Sequence, residues 1–152
     1  MTFRIREFAP ADTEQVVELW QLCDLTRPWN DPRKDIARCL ETETSFLLIA
    51  EARADAGAEA ATGDAAIVGT VMGGYEGHRG WLFYLASHPE HQGAGTGRAL
   101  VAEAERRLEA MGCPKVMLMV RGSNTGVLGF YDKLGYEVEE GLLVLSRRLI
   151  ED

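Results

Sequence analysis

The stretch HQGAGTGRAL, residues 91–100, decides the fold, because its glycines lie between an apolar run and a helical pattern. The preceding run, WLFYLAS at 81–87, has few polar residues, which predicts a strand buried on both faces. One apolar stripe follows at helical spacing, formed by Leu100, Ala104, Leu108 and Met111, and Gly112 and Pro114 end the helix. The first N–H groups of a helix lack internal partners and attract anions, and glycine lets an anion approach the backbone closely. The stretch therefore predicts a phosphate-binding turn.

The common nucleotide motifs do not fit this turn. A Walker A loop ends in Gly-Lys-Ser/Thr, and residues 91–100 contain no lysine. The dinucleotide pattern GxGxxG requires glycine or alanine at position 98 or 100, where Arg98 and Leu100 stand. The glycines alone leave two interpretations, a phosphate site of another class and a tight strand-to-helix turn without a ligand.

The rest of the chain predicts strands and helices in an α/β order. Further strands are predicted at FRIREF (3–8), SFLLIAE (45–51), IVGTVMGGY (67–75), KVMLMV (115–120), YEVEE (136–140) and LLVLSRRL (142–149). Further helices are predicted at PADTEQVVELWQLC (10–23), with Asp12 or Thr13 as cap, at DPRKDIARCLE (31–41), with Asp31 as cap, and at NTGVLGFYDKL (124–134). Small residues at about 52–66 predict a flexible hairpin connection. The order βααβββαβαββ predicts one α/β domain over 1–152.

Composition narrows the class of protein. The chain has 152 residues, 46% of them hydrophobic, which suits one compact core. It contains no apolar run of membrane-spanning length and no secretory signal pattern, so we expect a cytoplasmic protein without a membrane partner. A net charge of −8 argues against a nucleic-acid partner. The cysteines, Cys23, Cys39 and Cys113, are odd in number and lack CxxC spacing, so we expect buried apolar side chains rather than disulfides or a zinc site.

Two motifs give the chain a family resemblance. HPEHQGAGTGRAL (88–100) resembles the pyrophosphate-binding motif of the GNAT acyltransferase superfamily, with Gln92, Gly95 and Gly97 at matching positions. NTGVLGFYDKLGY (124–136) is similar to the second family motif: Asn124, Phe130, Tyr131, Gly135 and Tyr136 are in register, and Val127 replaces an alanine. Within the superfamily, DLTRPWNDPRKDIARCL, VGTVMGGYEGHRGW and RRLIED resemble the YpeA-like branch.

The resemblance implies a fold and a co-substrate. The GNAT acyl-CoA N-acyltransferase fold is a mixed, mostly antiparallel sheet with splayed central strands, flanked by about four helices. Acetyl-CoA would place its pantetheine arm in the cleft between the splayed strands WLFYLAS and KVMLMV and its pyrophosphate on the glycine-rich turn. The implied cofactor contacts are Leu85, Ala86, Ser87, Gln92, Gly93, Ala94, Gly95, Thr96, Gly97, Arg98, Asn124, Phe130, Tyr131 and Lys133.

The implied reaction is attack of a neutral amine on the thioester, which needs an oxyanion donor, an acid and a base. A backbone N–H near Leu85 would stabilise the oxyanion. Tyr131 matches the family tyrosine that protonates the leaving thiolate, whose pKa as a free thiol is roughly 8.5. WLFYLAS contains no carboxylate or histidine, so Glu76 and His78 in YEGHRG, the turn before this strand, are the candidate bases. His88 and His91 have metal-ligand spacing without a third ligand, and we expect no metal.

The acceptor is predicted only as a class. MVRGSN (119–124) resembles a stretch of the ribosomal-protein N-terminal acetyltransferases, but Met119 replaces their glutamate, which argues against a peptide acceptor. A primary amine on a small molecule, a polyamine or a lysine remains. The loop between the first two helices offers Asp24, Arg27, Trp29, Asn30 and Asp31 as pocket wall, with Trp29 as a core residue in the alternative interpretation.

Two functions of different classes remain open from the sequence. The first is an acetyl-CoA-dependent N-acetyltransferase. The alternative is a non-catalytic acyl-CoA sensor or interaction module that has kept the phosphate turn, which the lack of a base on WLFYLAS would suit. The resemblance also implies a homodimer as a possible assembly.

Overall fold

A computed structural model describes residues 2–53 and 65–152 of the chain. Within these residues the strands are β1 (Thr2–Glu7), β2 (Ser45–Arg53), β3 (Ile67–Tyr75), β4 (Gly80–Ser87) and β5 (Val116–Leu118). They form one sheet in the order β1-β2-β3-β4-β5, in which neighbours are antiparallel except for the parallel pair β4 and β5. This mixed, mostly antiparallel sheet confirms the predicted fold class.

The helices follow the predicted order. Among the described residues they are α1 (Thr13–Leu22), α2 (Pro32–Glu41), α3 (Thr96–Ala110) and α4 (Leu128–Lys133). Asp31 caps α2 as predicted, because its Oδ1 accepts the Arg33 N–H at 2.9 Å and Pro32 occupies the first turn.

The start of α1 differs from the prediction. A 3-10 turn, Pro10–Asp12, leads directly into the helix. The Asp12 carboxylate accepts the Ala9 N–H at 2.8 Å and binds the Arg6 guanidinium through hydrogen bonds of 2.8 and 2.9 Å. Asp12 therefore joins β1 to the turn instead of capping α1 with its side chain.

Helices cover both faces of the sheet. Neighbouring residues of a strand point to opposite faces, and in β3 Thr70 bonds to Trp20 of α1, whereas Gly69 faces Thr96 of α3. On the first face the core consists mainly of Val16, Leu19, Trp20, Ile36, Cys39, Leu47, Ile49 and Met72. On the other face α3 buries Leu100, Ala104 and Leu108, which confirms most of the predicted stripe.

Two residues of the predicted core are exposed. Met111 has 39% of its surface exposed, because α3 ends at Ala110 and Met111 leaves the helical stripe. Phe83 of β4 is 42% exposed, so the prediction that this strand is buried on both faces was wrong. Phe83 packs beside Trp81 with ring centroids 6.5 Å apart.

The predicted connection at 52–66 is shorter than expected. β2 extends to Arg53, and the Ala52 N–H donates to the Ala66 carbonyl at 2.8 Å, so both ends belong to the β2–β3 pairing. Residues 54–64 of this predicted flexible connection lie outside the described residues.

The chain divides into two compact units, Met1–Leu118 and Met119–Asp152. In the second unit a 3-10 turn, Thr125–Val127, leads into α4, and Gly135 ends that helix with a φ of +90°. The predicted single domain over the whole chain stays a prediction.

The predicted terminal pair of strands is wrong. Residues 136–152, all of which the structure describes, contain no strand. Two strands alone are only marginally stable in water until a third strand or a packed face supports them. Apolar alternation in these residues was therefore insufficient evidence for a hairpin.

No helix within 2–53 and 65–152 is long and apolar enough to cross a membrane.

Candidate functional site

The predicted phosphate turn connects the end of β4 with the start of α3. A 3-10 turn, Pro89–His91, follows β4. It is held by the His88 N–H, which donates to the Val68 carbonyl at 2.8 Å, and by His88 Nδ1, which accepts the Glu90 N–H at 3.1 Å. The predicted contacts at 85–87 and 92–98 thus belong to one continuous strand, loop and helix.

Two glycines give the turn its shape. Gly93 has a φ of +86° and Gly95, the residue before α3, a φ of +80°. A residue with a Cβ adopts this left-handed conformation at a cost of roughly 1–2 kcal/mol. No described atom lies within 4 Å of a Cβ built on either glycine, so these positions require glycine for its backbone conformation and leave open space above the backbone.

The first residue of α3 has an orphaned polar atom. Thr96 is 3% exposed, and its buried Oγ1 has no hydrogen-bond partner among the described residues. Buried hydroxyls are normally paired, because an unpaired one has lost its hydration without compensation. The donors that the turn offers to an approaching anion are the first free N–H groups of α3.

The strands β4 and β5 separate beside this turn. They pair only from Gly80 opposite Val116 to Leu82 opposite Leu118, where β5 ends. β4 continues for the length of Phe83–Ser87, and in the described part of the chain β5 has no residue paired with this extension. Pairing with β5 is therefore confined to the first three residues of β4, Gly80–Leu82.

β4 also contains a bulge next to the separation. Its pairing with β3 shifts between Thr70, opposite Ala86, and Met72, opposite Phe83. Tyr84 in this bulge has a φ of +50°, which is rare for a residue other than glycine. Such strained backbone occurs preferentially at functional sites, where the surrounding structure enforces it.

The turn between β3 and β4 holds the candidate bases. Glu76 Oε1 accepts the N–H groups of His78 and Arg79, each at 2.6 Å. The bond from Arg79, helped by that from His78, lowers the pKa of the Glu76 carboxyl. A carboxylate with a lowered pKa is a weaker base, so the turn structure gives Glu76 a role in shaping the loop.

Beside this turn lies a pocket of about 150 Å³, which we call the aromatic pocket. Its walls include Thr44, Ser45, Tyr75, Glu76, Trp81 and Phe83. The rings of Trp81 and Phe83 are nearly parallel, with an interplanar angle of 16°. Glu76 is the charged residue in this wall, so the pocket combines aromatic faces with one carboxylate.

Comparisons with known proteins identify the family. The model of the acetyltransferase (GNAT) family matches residues 13–136. The chain belongs to the GNAT family of acetyltransferases. An acetyltransferase of Sodalis glossinidius is 46% identical over 148 residues, which are 97% of this chain and 96% of the relative. An acetyltransferase of Pectobacterium atrosepticum is 47% identical over 148 residues, which are 97% of this chain and 96% of the relative.

Solved structures share the fold of this acetyltransferase. AAC(6')-Iy, in complex with the bisubstrate analog CoA-S-monomethyl-acetylneamine, has a TM-score of 0.73 at 18% identity and covers 98% of this chain and 100% of that chain. Glucosamine-6-phosphate N-acetyltransferase from Arabidopsis thaliana has a TM-score of 0.70 at 20% identity, and the match covers 99% of this chain and 100% of that chain. At these identities the likeness concerns the fold alone.

The predicted acid of the acetyltransferase lies in the second unit. Tyr131 is half-buried in α4, with its ring edge-on to Phe130 at 5.1 Å and to Tyr136 at 5.9 Å. Burial raises the pKa of the Tyr131 phenol, which keeps the proton in place at neutral pH. Asn124 and Lys133, the other predicted contacts in this unit, are exposed.

The loop between α1 and α2 contributes a polar network that sequence analysis found only in part. Asn30, a predicted wall residue, donates from Nδ2 to Asp35 at 2.7 Å and to the Tyr84 hydroxyl at 3.3 Å. The Tyr84 hydroxyl donates to the same Asp35 oxygen at 2.7 Å. Asp35 and Tyr84 were missed, because a helix carboxylate and a strand tyrosine carry no motif. Trp29 is 58% exposed, so its interpretation as a core residue was wrong.

The cysteines and histidines play smaller parts. All three cysteines are free; Cys39 is buried, which raises the pKa of its thiol to about 11, whereas Cys23 and Cys113 are half-buried rather than fully buried as predicted. His88 and His91 lie with ring centroids 5.2 Å apart. No cluster of three potential metal ligands occurs among the residues that the structure describes.

Proposed function

We propose that this acetyltransferase transfers an acetyl group from acetyl-CoA to a primary amine. The observation that carries the proposal is the turn before α3, where two glycines with left-handed φ angles leave open space above the backbone at the helix N-terminus. The site suits the pyrophosphate of acetyl-CoA, because it offers donors and open space to an anion.

The chain's own residues would bind the co-substrate along β4 and the turn. Backbone groups of Leu85, Ala86 and Ser87 would pair with the pantetheine arm. N–H groups from Gly93 to Arg98 would bind the pyrophosphate, and Gln92 directly precedes them in the same loop. Asn124, Phe130 and Lys133 remain proposed contacts on the strength of the family motif alone.

The proposed reaction is direct transfer. The amine nitrogen attacks the thioester carbonyl carbon, and the new N–C bond forms while the oxygen gains negative charge. The Leu85 N–H stabilises this oxyanion. The C–S bond then breaks, and Tyr131 donates its proton to the leaving sulfur. Of the two protons that the ammonium nitrogen loses, a base takes the first before attack, and the Tyr131 phenolate takes the second.

Glu76 and His78 differ in how well each side chain could remove a proton from the substrate. Hydrogen bonds from two backbone N–H groups stabilise the charged form of Glu76, which suits binding of a cation better than proton removal. His78 is exposed in the same turn, and a ring nitrogen of its imidazole can accept a proton. We therefore assign the binding of the ammonium to Glu76 and removal of its proton, directly or through water, to His78.

The aromatic pocket favours one kind of acceptor. Aromatic faces attract ammonium groups, and a neighbouring carboxylate adds charge attraction. Phe83 lies two residues before Leu85 on β4, so a substrate in this pocket lies next to the proposed oxyanion donor along the strand. We propose an alkyl primary amine as acceptor, on a small molecule, a polyamine or a lysine side chain.

The proposal is tested by measuring CoA release from acetyl-CoA with a panel of such amines. We expect Tyr131→Phe to lower kcat about 100-fold, within the range typical of acid catalysis, while KM for acetyl-CoA stays unchanged. The raised pKa of Tyr131 places the loss of the acid above pH 10, so the native enzyme should show a falling alkaline limb of kcat that the variant lacks.

Two further variants separate the roles in the β3–β4 turn. Glu76→Gln should raise KM for the amine with little change in kcat, whereas His78→Gln should lower kcat. A Tyr131→Phe enzyme with full kcat would refute the assigned acid. Binding of acetyl-CoA without CoA release from any amine would favour the non-catalytic sensor. A cytoplasmic location and a homodimer stay predictions.

A further inference from the structure

The bulge in β4 is held by side chains that the family motifs do not include. Thr70 of β3 is fully buried, and its hydroxyl donates to the Tyr84 carbonyl at 2.8 Å. The Thr70 hydroxyl oxygen also accepts the Trp20 Nε1–H at 2.8 Å. Thr70 therefore has both its donor and an acceptor position engaged, which fixes the direction of its hydroxyl.

The side chain of Tyr84 is held as firmly as its carbonyl. Its ring stacks on Trp20 with centroids 3.7 Å apart and an interplanar angle of 12°. Its hydroxyl donates to Asp35 Oδ2 at 2.7 Å, and Asn30 donates to both groups. Contacts from α1, α2 and β3 together keep Tyr84 at a φ of +50°, a conformation that it would otherwise leave.

The fixed carbonyl of Tyr84 also fixes the N–H of Leu85. The two groups belong to one planar trans peptide, in which C=O and N–H point in opposite directions. The carbonyl accepts from the Thr70 hydroxyl, so the Leu85 N–H points away from that hydroxyl. In the sheet order β3-β4-β5 the edge of β4 away from β3 is the edge beside β5, which ends at Leu118 opposite Leu82.

We propose that Thr70 and Tyr84 are positioning residues for acetyl transfer, which turn the Leu85 N–H toward the thioester carbonyl in the opening between β4 and β5. The inference rests on the proposed function, since it takes the Leu85 N–H as oxyanion donor. Such a donor works only when its direction is set before the charge develops. The buried Trp20 and Thr70 supply that rigidity, and neither touches the substrate.

The test compares Thr70→Val with Thr70→Ser. Valine keeps the shape of threonine and removes the hydrogen bond to the Tyr84 carbonyl, whereas serine keeps the hydroxyl. We expect Thr70→Val to lower kcat about ten- to hundred-fold, with the Kd for acetyl-CoA within about twofold of the native value, and Thr70→Ser to restore kcat. Tyr84→Phe, which loses the bond to Asp35 and keeps the ring, should lie between them.

A spectroscopic readout needs no acceptor. The carbonyl stretch of bound [1-¹³C]acetyl-CoA should lie at lower frequency than that of free acetyl-CoA in the native enzyme and in Thr70→Ser, and return toward the free value in Thr70→Val. Thr13→Val is the matched control, because it removes a threonine hydrogen bond to the Pro10 carbonyl at the start of α1. Circular dichroism and thermal unfolding establish that each variant is folded at the assay temperature.

The outcomes separate the inference from the proposed function. A native enzyme that fails to bind acetyl-CoA refutes the proposed function and this inference with it. Binding with an unshifted carbonyl band refutes the inference and leaves the binding site standing. A folded Thr70→Val enzyme with the native band and native kcat refutes the positioning role alone.

Discussion

We expect Gly95 to matter both for the stability of the turn before α3 and for the binding of acetyl-CoA. We expect Gly95→Ala to lower the free energy of unfolding by about 1–2 kcal/mol, because alanine at a φ of +80° is strained. The variant should also bind acetyl-CoA at least tenfold more weakly, since relief of the strain reorients the first N–H groups of α3. Chemical denaturation and calorimetric titration measure the two effects.

Gly77 is the matched control for this experiment. It has a φ of +102° and no described atom within 4 Å of a built Cβ, but it belongs to the β3–β4 turn. Gly77→Ala should lose similar stability and keep the native affinity for acetyl-CoA. Equal losses of affinity in the two variants would mean that general strain, and not the phosphate turn, controls binding.

Residues with a local role could be predicted from the sequence, whereas residues with a long-range role could not. Gly95 and Tyr131 belong to contiguous motifs whose spacing is visible in the chain. Tyr84 depends on Trp20, Thr70 and Asp35, which are brought to it from other elements. A β-branched residue and a tyrosine in strands predict only packing, so this network required the structure.

The start of α2 offers a test that separates capping from substrate binding. Asp31 was a predicted wall residue of the acceptor pocket, and in the structure its carboxylate caps the helix. We expect Asp31→Ala to cost about 1 kcal/mol of unfolding free energy, and Asp31→Ser to recover most of it, because serine is also a good cap. Thermal denaturation checks this order.

Kinetics on the same pair decide the second role. If Asp31 only caps α2, KM for the amine should be native in Asp31→Ser, which lacks the charge and keeps the cap. A raised KM in Asp31→Ser with restored stability would show that the carboxylate also contacts the acceptor.

Elements with a strong local signal agree well with their predictions. α2 has a cap, a proline in its first turn and a buried face, and it begins one residue after Asp31, as the sequence predicts. β3 spans Ile67–Tyr75, the predicted range. The prediction of a terminal strand pair was wrong because apolar alternation shows only that a segment has one face to bury. It does not show which other element buries that face.

At the scale of the whole molecule, the size of the second unit argues that the chain folds as one domain. Chains shorter than about 40 residues rarely fold without disulfides, metals or a partner. Residues 119–152 contain no cysteine, and the family match over 13–136 runs through both units. We therefore expect α3 and α4 to unfold in one cooperative transition.

Peptide-resolved hydrogen exchange in urea tests this expectation. Tryptophan fluorescence is unsuitable, because Trp20, Trp29 and Trp81 all lie in the first unit. Peptides from α3 and α4 should lose protection at the same urea concentration. Acetyl-CoA at about 100 times its Kd should raise the stability of both by about 2.7 kcal/mol, since a ligand stabilises everything that unfolds with its site. Separate midpoints, with acetyl-CoA protecting only α3, would instead mean that the two units unfold independently.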